Sequence, residues 1–137
     1  MIAFKKGAPS FPSRPSREGV AGFQKKYHLF RSHLALVGKA LKEHSGIPHY
    51  GYGGGNLLPA LYYFFGETPQ IEAILEDDAA KDGIFYVNIP TPIWSVKRIH
   101  SLQDAAILVT ATNYQRAIAE KLVAQHPRTI LAPLPVC

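Results

Sequence analysis

The sequence predicts an α/β fold, a Rossmann-like parallel sheet flanked by helices and preceded by a long amphipathic N-terminal helix. Three observations predict it. From residue 47 onward short apolar runs alternate with helical patterns, the order expected of βαβ units. A glycine-rich turn at residues 51–56 joins the first such run to a helical one. Gly53, Asp77, Asp78 and Asn113 then fall at the carboxyl ends of successive predicted strands, where open α/β sheets bind ligands.

At 137 residues the chain has the size of one domain able to bury its own core. The single cysteine, Cys137, is the last residue, so no disulfide framework is expected and a reducing, cytoplasmic compartment is. No apolar run approaches the roughly 20 residues of a membrane span. Residues 1–22 contain no secretory h-region. Net charge is +5 and uneven: the first 45 residues hold nine basic and two acidic side chains, the remainder six and eight. The basic residues lack interleaved stacking aromatics, so a solvated arm and helix face are expected rather than a nucleic-acid or membrane surface.

Residues 1–17, with Pro9, Pro12, Pro15 and three serines, read as a flexible basic arm, and residues 18–137 as the single domain. Val20, Phe23, Tyr27, Phe30, Leu34, Val37 and Leu41 recur at steps of three and four, which predicts one helix over 20–44 with an apolar stripe. Burying each large side chain is worth about 1.5–3 kcal/mol, so the stripe is expected to lie on the sheet, on another domain or on a second copy. Ser45-Gly46 supplies its stop.

Residues 47–50 are the first strand, and the run after Asn56, ended by Gly66, is the first crossover helix. Residues 70–75 read as the second strand, entering the acidic cluster Glu76, Asp77, Asp78. Pro90 and Pro92 exclude a helix and a central strand over 84–99, leaving an extended loop with room for an edge strand, then a helical turn near 95–99. Trp94 is a packing anchor. Residues 105–110 are a buried parallel strand. Thr112-Asn113 is positioned to cap a helix over 114–125, with Ile118 and Leu122 inward. Residues 129–132 form the last strand, and Pro133 and Pro135 close the edge. The first strand is expected at the centre, flanked by those containing Ile71 and Ile107.

Glycines at the turn permit left-handed backbone and the approach of a pyrophosphate to N–H groups at a helix start. Asn56 stands where Gly-x-Gly-x-x-Gly needs its third glycine, and a glycine turn can also serve strand–helix packing alone. An acidic residue about 20 positions on, here Asp77 or Asp78, suits a ribose hydroxyl. It can equally open a solvated turn with Lys81-Asp82-Gly83. Six histidines show no compact metal spacing, and neither a nucleophile elbow nor a Gly-Lys-Ser/Thr phosphate loop is present.

Five motifs occur in order: Gly51-Tyr52-Gly53 with Gly55-Asn56-x-Leu58; Asp77-Asp78-x-x-Lys81-x-Gly83; Ile89-Pro90-x-Pro92-Ile93; Thr112-Asn113-Tyr114; and Ile130-x-x-Pro133-x-Pro135. In these the chain, over roughly residues 23–136, resembles the C-terminal domain of the sugar C-methyltransferases. In that family a Rossmann-like domain follows a zinc-binding domain and a central S-adenosylmethionine domain. Here the glycine loop is shorter and lacks the lysine often found in it, and the two companion domains are not in the sequence. The resemblance implies a domain that binds or orients a nucleotide-linked sugar and is not catalytic alone, with S-adenosylmethionine supplied through a methyltransferase partner or parent chain. Its ligand-binding set would be Gly51, Gly53, Gly54, Gly55, Asn56, Asp77, Asp78, Lys81, Asn113 and Tyr114. Two alternatives stay open: a stand-alone NAD(H)-binding protein with a redox or sensor role, and a structural module that dimerises through the 20–41 helix.

Overall fold

The computed structural model of the chain describes residues 16–55, 58–65 and 70–134. Asn56 of the glycine turn, residues 1–15 of the basic arm, Gly66, Pro135 and Cys137 lie outside the described residues. Helix α1 (Arg17–Glu43) is 27 residues long. Ser16 is its N-cap, its side chain accepting the Gly19 N–H at 3.0 Å, and Glu18 and Lys42 sit at the ends the helix dipole favours. Arg17 is thus the first helical residue rather than the last of the arm. The helix ends at His44, one residue before the Ser45-Gly46 stop; its Nδ1 meets the Ala40 carbonyl at 2.8 Å.

Five strands follow: β1 (His49–Tyr52), β2 (Ala73–Glu76), β3 (Ile93–Ser95), β4 (Ala106–Val109) and β5 (Thr129–Leu131). Helix α2 (Leu58–Phe65) joins β1 to β2, and α3 (Gln115–Val123) joins β4 to β5. All pairings are parallel and the order is β3-β2-β1-β4-β5, so β1 is central with β2 and β4 beside it, as the alternation predicts. Tyr50 is in register with Ala73 on one side and Ile107 on the other. The regular part of β2 begins three residues later than the apolar run and includes Glu76 as its last residue. Because the strand runs on through Glu76, that residue keeps the alternation set by the pairing of Gly51 with Ile74 and faces as Ile74 does.

Side chains alternate across the sheet as parallel strands require. Ile74, Ile93 and Leu108 point to the face covered by α1 and α2, where they meet Val37, Leu41 and Leu58. Tyr50, Tyr52, Leu75, Ile107 and Val109 point to the face covered by α3 and the 96–105 segment, against Leu102 and Leu122, with Trp94 and Ile118 packed alongside. Gly51 is a packing glycine. A Cβ there would stand 2.4 Å from Ile74 Cδ1, so the missing side chain is the space Ile74 fills. The proline stretch forms the loop and edge strand expected of it: Phe85 and Pro92 bridge antiparallel across the loop, and β3 lies at the sheet edge. The Pro92 carbonyl still accepts the Ile74 N–H at 2.8 Å, so the proline joins the edge of the sheet through its acceptor alone. The 3₁₀ turn Val96–Arg98 follows directly.

The stripe of α1 is covered over its second half only. Leu34, Val37 and Leu41 are buried, whereas Val20 and Tyr27 are each 41% exposed and Phe23 is 69% exposed. Strand length explains this: four residues of strand reach about 13 Å, and a helix of this length runs about 40 Å. Cover ends where Phe64 of α2 meets Phe30 edge-to-face at 5.0 Å and Tyr27 at 6.4 Å; Phe23 then only stacks on Tyr27.

Val37→Asp should therefore cost more than about 3 kcal/mol in urea denaturation, as a buried unpaired charge does. Phe23→Asp should stay within about 0.5 kcal/mol of the parent. Equal losses at the two positions would mean the whole stripe is packed in solution.

Candidate functional site

The chain leaves β1 through Gly53, whose φ of +98° suits glycine alone. A Cβ there would lie 2.4 Å from Ala111 Cβ and 3.1 Å from the Ala111 backbone nitrogen. The turn is then held from three sides. The Gly53 N–H donates to the Leu75 carbonyl at 2.8 Å, and the Gly53 carbonyl accepts the Thr110 hydroxyl at 2.6 Å. The Gly54 N–H donates to Glu76 Oε2 at 2.9 Å, and the Gly54 carbonyl accepts the Tyr86 hydroxyl at 2.5 Å. Two N–H groups expected to be open to phosphate thus already have protein acceptors.

The carboxylate facing the turn is that of Glu76, not of Asp77 or Asp78. Glu76 is the last residue of β2, and strand alternation puts it on the same face as Ile74, above which the turn passes. Its Oε2 also accepts Lys81 Nζ at 3.2 Å, and Oε1 accepts the N–H groups of Asp77 at 3.1 Å and Asp78 at 3.4 Å. Asp77 turns to α3: its Oδ1 accepts the Tyr52 hydroxyl at 2.9 Å and Lys121 Nζ at 2.5 Å. Asp78 caps the 3₁₀ turn Ala79–Lys81 through the Ala80 N–H.

These contacts bias protonation. Partial burial works to raise the Asp77 pKa, and the hydrogen bonds from Lys121 and Tyr52 outweigh it, holding the carboxyl below its usual range. The hydrogen bond to Glu76 holds the Lys81 ammonium above its usual range. Burial is the main reason the Tyr52 phenol titrates higher than usual.

On the opposite wall, residues Thr112–Tyr114 form a 3₁₀ turn running into α3. The cap expected of Thr112-Asn113 is not made: neither this turn nor α3 has a side-chain N-cap bond. The 3₁₀ turn pulls both residues out of the capping position. Thr112 Oγ1 and Gln115 Nε2 are buried with no hydrogen-bond partner.

Between the walls lies a crevice of two adjoining hollows, of about 250 and 300 Å³, which share Gly54, Gly55, Lys81, Ala111 and Tyr114. The first is closed by Thr110, Thr112 and Asn113, the second by Gly53, Glu76, Asp77 and Ile118. Of the residues expected to bind ligand, Gly53, Gly54, Gly55, Asp77, Lys81, Asn113 and Tyr114 line this crevice. Gly51 lies inside β1, and Asp78 faces its own turn. Glu76, Thr112 and Tyr86 were not among the expected residues. Glu76 was visible in the acidic cluster, but its direction follows from where β2 ends. Nothing in the local pattern singles out Tyr86.

Among the described residues no group of three His, Cys, Asp or Glu side chains is placed to share a metal ion, and no helix is long and apolar enough to cross a membrane. The chain matches no family model and no curated protein sequence.

Two outcomes follow from this geometry. Gly53→Ala should cost about 1–3 kcal/mol from backbone strain, plus the clash with Ala111. Adding Ala111→Gly should recover the clash and leave the strain, so a double variant no better than Gly53→Ala would show the close approach to be unimportant. Because the Asp77 pKa is lowered on folding, its stabilisation is fully present above about pH 4 and is lost as pH falls through the folded value. Asp77→Asn should accordingly flatten the fall of melting temperature below about pH 4 relative to the parent.

Proposed function

We propose that the chain is a Rossmann-like binding domain for a nucleotide-linked sugar, corresponding to the substrate-side domain that the sugar C-methyltransferases carry. It orients the sugar and does not transfer methyl by itself. S-adenosylmethionine enters through a partner or parent chain.

The observation that carries the reading is the crevice at the carboxyl ends of β1, β2 and β4. One side presents carboxylates, the other none, and a glycine ridge with a single ammonium, Lys81, runs between them. A ligand with a hydroxyl-rich ring joined to phosphate has the matching asymmetry. Asp77 Oδ1 is engaged by Lys121 and Tyr52, which leaves Oδ2 to accept sugar or ribose hydroxyls. Tyr114, 69% exposed at the ridge, offers a ring and a hydroxyl to a base or sugar.

The NAD(H) reading is favoured by one observation, the strand order with an acid at the end of β2, where dinucleotide-binding folds hold the ribose. It ranks second because the Glu76 oxygens already accept four protein donors.

Titration followed by amide NMR separates the two. UDP-glucose and dTDP-glucose should shift amides of Gly54, Gly55 and residues 112–114, S-adenosylmethionine should shift none, and NADP(H) should bind worst because the Glu76 and Asp77 carboxylates face its ribose phosphate. Tight NAD(H) binding with silent nucleotide sugars would reverse the ranking. Incubated with S-adenosylmethionine and either nucleotide sugar, the chain alone should release no methylated product; turnover without a second protein would overturn the accessory role.

A further inference from the structure

Resting on the nucleotide-sugar reading, we infer that the phosphates are bound in the hollow beside the β4–α3 turn, by Lys81, Thr112 and Asn113, and not on the N–H groups of Gly53 and Gly54. The sugar hydroxyls then fall on the Asp77 side of the ridge.

The first line of argument is occupancy. A phosphate seated on the Gly53 and Gly54 N–H groups would have to displace the acceptors they already point at, the Leu75 carbonyl and the Glu76 carboxylate, at 2.8 and 2.9 Å. Replacing the Glu76 carboxylate by phosphate would leave a partly buried anion, 16% exposed, beside a second anion. Glu76 is the anion of this turn.

The second line is charge. The 250 Å³ hollow is lined by one ammonium and by no carboxylate, whereas the neighbouring one is lined by Glu76 and Asp77. Lys81 lines both, its side chain 40% exposed, so one face of the ammonium pairs with Glu76 while the other opens toward the β4–α3 side. An anion placed there gains Lys81 without meeting a carboxylate.

The third line is hydrogen bonding. Buried polar groups in folded proteins have partners, and an exception calls for a reason. Thr112 lines this hollow and its buried hydroxyl has no partner, and the Gln115 amide nitrogen, in a residue only 6% exposed, has none either. Both are donors beneath the surface of the turn; rotation of the Thr112 side chain would bring its hydroxyl to a phosphate that Lys81 and the exposed Asn113 amide reach from the hollow. The Gly54 carbonyl, by contrast, is already taken by Tyr86, and the Gly53 carbonyl by Thr110, so the turn stays rigid while the ligand enters.

The experiment measures Kd for UDP, UDP-glucose and inorganic pyrophosphate by calorimetry, and maps each by amide NMR, in the parent, Thr112→Val and Asp77→Asn. Thr112→Val should weaken UDP and pyrophosphate at least about tenfold, the loss of a charge-assisted hydrogen bond. Its melting temperature should be unchanged or higher, because an unpartnered hydroxyl is removed; a structural threonine would lower it. Asp77→Asn should weaken UDP-glucose more than it weakens UDP. UDP binding that is indifferent to Thr112→Val overturns the subsite while leaving the nucleotide reading standing. Pyrophosphate that shifts residues 112–114, with UDP-glucose binding no tighter, keeps the anion pocket and removes the nucleotide reading. Silence from all three probes overturns both.

Discussion

The Glu76 carboxylate gathers the Gly54 N–H, the Lys81 ammonium and the N–H groups of Asp77 and Asp78 around two oxygens. A charge so little exposed is tolerated only when paired and hydrogen-bonded, and here the pairing ties the 76–81 loop to the glycine turn, 22 residues earlier in the chain. It fixes the height of the glycine turn over β2, the direction of the acidic loop and the position of Lys81. With Tyr86 on the Gly54 carbonyl and Thr110 on the Gly53 carbonyl, the crevice floor is held from β2, β4 and the proline loop together. Such a floor is preorganised, so little ordering entropy remains to be lost when a ligand arrives.

The close approach of β1 to the end of β4 has the same character. Gly53 sits where a methyl group would collide with Ala111, and it holds a left-handed φ. This brings the β4–α3 turn against the glycine ridge and makes one crevice of what would otherwise be two shallow strand ends. Gly51 contributes in a different way, by admitting Ile74 to the core under the central strand. Two glycines in one short motif thus answer to two constraints, one of packing and one of backbone geometry. A spacing motif cannot separate them.

Much of the fold was legible. The run Ala106–Val109 is apolar at every residue because both of its faces are covered, and the step pattern of α1 marks its stripe without ambiguity. What the pattern could not state is what lies against the stripe: the period reports a face, and the sheet is too short to cover all of it. The site was legible as a place and less so as a set of directions. Strand side chains alternate, so a shift of the β2 register by one residue would exchange the acid that looks at the turn for the one that looks at α3. Asp77 and Asp78 were the natural choices from spacing, and Glu76 took the position because the ladder runs one residue further. Thr112 and Asn113 carry a capping pattern, yet the 3₁₀ turn before α3 prevents the cap and leaves a hydroxyl without a partner.

Charge around the crevice completes the picture. Glu76, Asp77 and Asp78 are opposed by Lys81 and Lys121, so the site is close to neutral, and its selectivity rests on where each charge stands rather than on a net field. The excess positive charge of the chain lies instead in its first 45 residues, nine basic against two acidic. Fields from exposed charges are largely screened beyond about 8 Å at physiological salt, so the exposed basic side chains of α1 do not replace a local cation at the ridge. An anionic ligand must then be recognised by contact, one ammonium and a few hydroxyl and amide donors at a time. Discrimination at such a crevice rests on hydrogen-bond position rather than on net charge.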